Sequence, residues 1–135
     1  MSEKPLSILH ADDDPDDLEL WEETLLSLEP DASIKQVVNG REVKNYLMNC
    51  PDKDLPSLVI LDYNMPEMTG AEVLSWLSGQ SRYRSIHKLI LSTSGADVHK
   101  KNCIRDGAEA YFVKPVNLRE LETLAKKMLA IASKS

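Results

Sequence analysis

Asp12 and Asp13 follow one apolar run of the sequence, Asp62 ends the most apolar run, Ser92 and Thr93 end another, and Lys114 follows the last. If those runs lie side by side, three carboxylates, a hydroxyl and an amine meet in one crevice. Core packing asks for none of them. Three carboxylates held together raise one another's pKa unless a cation sits among them. Oxygen ligands this few, with room left for water and one further oxygen, suit Mg2+ better than a closed Ca2+ cage, with Mn2+ as the substitute. A lone carboxylate at the end of a buried strand is costly without a dedicated partner. Lys114 could supply that partner to Asp62 in a purely structural ion pair, which leaves the other two acids and the hydroxyl unexplained.

Part of the acidic run has a simpler reading. Asp14 precedes Pro15 and fits a helix N-cap followed by proline at the first helical position, while Asp16 and Asp17 fall in the first turn, where carboxylates face the positive end of the helix dipole. These three are assigned to helix initiation, and Asp12 and Asp13 to ligation. Pro115 makes the preceding peptide bond the one kind with a small cis penalty, about 0.5–1 kcal/mol, and a cis Lys114–Pro115 turn would aim the ammonium into the crevice.

A parallel sheet is what would place these residues together. Five short apolar runs, residues 6–11, 33–38, 58–62, 88–92 and 110–113, alternate with five helical patterns, as βα units do. Three of the runs are nearly continuous, as strands buried on both faces should be. Leu18, Trp21, Leu25 and Leu28 mark the first helix, Val43, Tyr46 and Leu47 the second, and Val73, Leu74 and Leu77 the third. Residues 97–106 form a more polar fourth, and Leu118, Leu121, Leu124, Met128 and Leu129 give the last its core stripe. Right-handed crossovers turn this order into a doubly wound α/β sheet, whose ligands bind outside the carboxyl ends of the strands.

The 135 residues suit one domain, with a core over about residues 6–132 and no output domain. A net charge of −6 argues against nucleic acid and against an anionic membrane surface as partners. No apolar stretch is long enough to span a bilayer, and acids stand where a signal peptide needs its apolar region, so a cytoplasmic location is expected. Cys50 and Cys103 have neither zinc spacing nor a disulfide framework and read as unpaired thiols.

With these residues assembled, the chain resembles the receiver domain of two-component response regulators along essentially its whole length. That family shows an acidic pair after strand one, an Asp in a D-x-x-M-P-x-x-x-G context after strand three, Thr or Ser after strand four, and Lys-Pro after strand five. Here these are Asp12 with Asp13, Asp62 in DYNMPEMTG, Ser92, and Lys114 with Pro115. The resemblance implies a flavodoxin-like fold with strand order 2-1-3-4-5 and five helices. It implies that Asp62 accepts a phosphoryl group from a histidine kinase or phosphotransfer protein. Asp12, Asp13, Asp62 and the backbone carbonyl of Asn64 would hold Mg2+, and Lys114 and Ser92 would bind phosphoryl oxygens. Thr93 is the rival for the hydroxyl, because a one-residue slip in a strand reverses the face.

Tyr111 matches the family's switch aromatic; on packing grounds alone it would lie against the last helix. The acidic first loop and the segment from Cys50 to Leu55 are similar to the single-domain subclass that includes chemotaxis regulators and those linked to phytochrome-type kinases. Such a domain signals through a downstream protein target, with a homodimer allowed but not fixed, and its own chemistry is limited to self-phosphorylation from a donor and slow dephosphorylation. His10, where the family has an aliphatic residue, reads as a packed imidazole.

Two other readings compete. A haloacid-dehalogenase-type phosphohydrolase also uses an Asp nucleophile after an apolar strand, but it needs a second Asp where Asn64 stands. A receiver-like interaction module that is never phosphorylated would have no use for the full set of site residues. Dinucleotide binding lacks any GxGxxG.

Overall fold

The computed structural model describes residues 5–133. Five strands, β1 (Ser7–Ala11), β2 (Ser33–Val37), β3 (Leu58–Asp62), β4 (His87–Ser92) and β5 (Ala110–Val113), alternate with α1 (Pro15–Leu28), α2 (Gly40–Met48), α3 (Gly70–Ser78), α4 (Asp97–Arg105) and α5 (Leu118–Ala132). All pairings are parallel and the order is β2-β1-β3-β4-β5, so β3 is central. This is the doubly wound α/β architecture that the alternating pattern implies.

The alternation of side chains along each strand divides the core in two. Leu9, Ala11, Val59, Leu61, Ile90 and Tyr111 face a cluster with Val43 and Leu47 of α2, Val73, Leu74 and Leu77 of α3, and Cys103 of α4. Ile8, Leu58, Ile60, Leu89 and Leu91 face Trp21 and Leu25 of α1 and Leu121, Ala125, Met128 and Leu129 of α5. Every residue of β3 is buried, which explains its unbroken apolar run.

Two expectations need correcting. The second strand stops at Val37 because the Val38 N–H donates to Glu42 Oε1 of α2 (3.0 Å) and so leaves the ladder. Leu118 does not belong to the core stripe: at the first position of α5 it is 68% exposed, while Leu121, Met128 and Leu129 are buried. Helix starts follow side-chain caps. Asp14 accepts from the Asp16 N–H (2.9 Å), Asn39 from Glu42 and Asn117 from Glu120 (2.8 Å each), and Thr69 forms a capping box with Glu72. The polar fourth helix lacks a side-chain cap at Ala96 and buries only Cys103. Both cysteines are buried free thiols. No described helix is long and apolar enough to cross a membrane.

Candidate functional site

The carboxyl ends of β1, β3, β4 and β5 bring the expected side chains to one edge of the sheet. Asp12 is fully buried, Asp62 is 4% exposed, and one carboxylate oxygen each from Asp12, Asp13 and Asp62 lie within 4.8 Å of one another. Asp13 is the exposed member of the three. Three acidic oxygens so close, two of them desolvated, fit a hard divalent cation.

Lys114 Nζ reaches the same place. It donates to Asp12 Oδ2 (3.1 Å), Asp62 Oδ2 (3.2 Å) and Asp17 Oδ2 (3.2 Å). The second Asp62 oxygen, Oδ1, accepts the Asn64 N–H (3.2 Å), and Asp12 Oδ1 accepts the Asp14 N–H (2.9 Å). Burial, and then the charge of Asp12, push the Asp62 carboxyl up to about 6, against the opposing pull of Lys114 and the Asn64 N–H. Burial opposes the Lys114 charge, but Asp12 and Asp62 outweigh it and hold the ammonium above its usual range.

The Lys114–Pro115 bond is trans, as are all peptide bonds among the described residues, which corrects the expected cis turn. Lys114 needs no such turn: the backbone at the end of β5, held by the Lys114 N–H on Ser92 O (2.7 Å), already lets the long side chain reach three carboxylates, and the ordinary trans preference stands.

Of the two candidate hydroxyls, Ser92 is fully buried at the end of β4 and its Oγ accepts the Ser94 N–H (3.0 Å), whereas Thr93 is exposed. Tyr111 does not pack on the last helix. It belongs to the α2, α3 and α4 side of the sheet, meets Tyr63 edge-on (6.4 Å between ring centres), and its hydroxyl donates to the carbonyl of Ser94 (2.6 Å). Ser92 and Tyr111 thus grip the same residue from two sides.

Gly70 explains the last position of the DYNMPEMTG motif. Its N–H donates to Tyr63 O (3.1 Å), and a side chain there would run into the carbonyl group of Asp62. Only a residue without Cβ lets the start of α3 lie this close to the end of β3. Gly70→Ala is expected to cost about 1–3 kcal/mol in urea denaturation, because the added Cβ must displace the Asp62 carbonyl group.

Sequence reasoning missed Asp17. Its place in the first turn of α1 has a sufficient explanation in helix initiation, yet its carboxylate also reaches Lys114; the surplus of acid in DDDPDD is the only sequence signal of it. His10 is fully buried, edge-on to Trp21 at 6.1 Å, and burial together with the Lys114 charge lowers its pKa to about 3, so it is a neutral packed imidazole.

Residues 8–126 match the family model described as the response regulator receiver domain. The two-component response regulator ARR9 of Arabidopsis thaliana is 33% identical over 76% of this chain and 39% of its own length. Across the curated relatives the matched part spans 32% to 54% of their length. Among solved structures, the phosphorylated cyanobacterial phytochrome response regulator RcpA superposes with a TM-score of 0.88 at 24% identity, covering 97% of this chain and 96% of that one. The Mn2+-bound form of the response regulator Rcp1 does so with a TM-score of 0.84 at 22% identity, over the same shares.

Proposed function

Since this chain belongs to the response regulator receiver domain family, we propose that it serves two-component phosphorelay signalling by accepting a phosphoryl group onto Asp62. The observation that carries this reading is the buried Asp62 carboxylate at the end of the central strand, with Lys114 Nζ 3.2 Å away and the Asp12 and Asp13 oxygens within 4.8 Å. In the transfer, an Asp62 carboxylate oxygen forms a bond to phosphorus. The bond from phosphorus to the imidazole nitrogen of the donor histidine breaks, and its electron pair stays on that nitrogen. Such transfers need positioning and charge neutralisation more than covalent help.

Asp12, Asp13, Asp62 and the backbone carbonyl of Asn64 would hold Mg2+, for which Mn2+ can substitute; the ion supplies charge neutralisation at the phosphoryl oxygens. Lys114 takes one phosphoryl oxygen and Ser92 another. Drawing the Ser92 hydroxyl toward the phosphoryl group takes it off the Ser94 N–H. Because the Tyr111 hydroxyl holds the carbonyl of that residue, the change passes to Tyr111 and to the surface of α4, β5 and α5. The donor is a histidine kinase or phosphotransfer protein, phytochrome-type kinases being the class suggested by the acidic first loop. The reader is a downstream protein target in the cytoplasm, not nucleic acid or membrane. The chemistry stops at self-phosphorylation and slow dephosphorylation.

Incubation with Mg2+ and acetyl phosphate is expected to add one phosphoryl group by intact mass to the wild type, none to Asp62→Asn, and none to either after chelation. Equal addition to both proteins would refute the assignment.

A further inference from the structure

The ammonium of Lys114 has three N–H donors, and three carboxylates take them: Asp12, Asp62 and Asp17. A phosphoryl oxygen on Asp62 can be received only if one of these acceptors yields. Asp12 is fully buried, with its other oxygen tied to the Asp14 N–H, and Asp62 carries the phosphoryl group itself. Asp17 differs from both. It stands on α1 rather than on a strand, its side chain is 33% exposed, and it borders an open cavity of about 550 Å3 that it shares with Thr93 and Lys114. Turning into that space returns its carboxylate to water, where the loss of one ion pair costs little.

We propose that Asp17 is a positioning residue that latches Lys114 in the unphosphorylated protein and competes with the phosphoryl group for the ammonium. This inference rests on the phosphoacceptor reading of Asp62. In the resting state Asp17 keeps Lys114 extended over the crevice. When an anion arrives at Asp62, Asp17 is the acceptor that leaves, and the anion binds more weakly by the strength of the contact it displaces.

The test is the affinity for beryllofluoride, a phosphoryl mimic, followed by 19F NMR in saturating Mg2+. Asp17→Asn is expected to bind about threefold to tenfold more tightly than the wild type. Asp16→Asn removes the same charge from the same helical turn without touching Lys114, and is expected to match the wild type within about twofold. Unchanged or weaker binding by Asp17→Asn, or an equal gain in Asp16→Asn, overturns the latch while leaving the phosphoacceptor reading in place. Absence of Mg2+-dependent beryllofluoride binding by the wild type overturns both.

Discussion

Asp62→Asn is expected to make the metal-free protein more stable at pH 7.5, by about 2–3 kcal/mol. The gain arises because burial and then the Asp12 charge raise the Asp62 carboxyl to about 6, while Lys114 and the Asn64 N–H offset this only in part. An unfolded chain titrates the same group near 3.9. The folded state therefore holds the proton more tightly, and its contribution to stability is fully present below about pH 4. It is lost as pH rises through about 6, leaving the charged form at a disadvantage above that. An amide has no such penalty. Urea denaturation with a chelator at pH 7.5 and pH 5 should show the variant ahead at the higher pH and the difference shrinking at the lower. On the proposed Mg2+ site, adding Mg2+ should stabilise the wild type and scarcely move the variant, because the carboxylates are brought together only in the folded state. A wild type more stable than Asp62→Asn at pH 7.5 without metal would contradict the electrostatic account of the site.

Lys114→Met should have the opposite sign and a larger size. It removes a cation lying 3.1 to 3.2 Å from three carboxylates, two of them almost wholly buried, while keeping most of the side-chain volume. Breaking a buried pair from one side leaves charge without compensation, which typically costs about 3–5 kcal/mol. The loss should be largest at pH 7.5 without metal and smaller below about pH 6, where Asp62 can take up a proton. Combining Lys114→Met with Asp62→Asn should recover part of the loss, since the two side chains act on each other directly. A loss below about 1 kcal/mol in the single variant would mean that Lys114 is not the counterion of this cluster.

The sequence displayed the fold through its periodicity and the site through its exceptions. Short apolar runs alternating with helical stripes mark the strands and the helices that cover them, and a polar residue at the end of such a run stands out because nothing in packing requires it. Asp12, Asp62, Ser92 and Lys114 were legible for that reason. Asp17 was not, because a carboxylate in the first turn of a helix already has a physical explanation, and only the distance to Lys114 reveals the other contact. Tyr111 shows a second limit: alternation tells which residues share a face of β5 but not which helices cover it. The trans bond before Pro115 shows a third. A cis turn is not required to aim the ammonium, because the lysine side chain is long enough to reach the three carboxylates unaided. Ser92 and Thr93 differ by a one-residue register that residue type does not reveal; the fold buries the first at the end of β4 and exposes the second.

Mapping the phosphoryl group to its residue tests the central claim most directly. The wild type, incubated with Mg2+ and acetyl phosphate, is quenched with borohydride, which reduces an acyl phosphate to the alcohol and leaves homoserine in place of aspartate. Peptide sequencing by mass spectrometry then locates it. The account predicts homoserine at position 62 alone, and none when the metal is chelated. Homoserine at position 12, 13 or 17 instead, or a phosphoryl gain that borohydride converts at no aspartate, would contradict it.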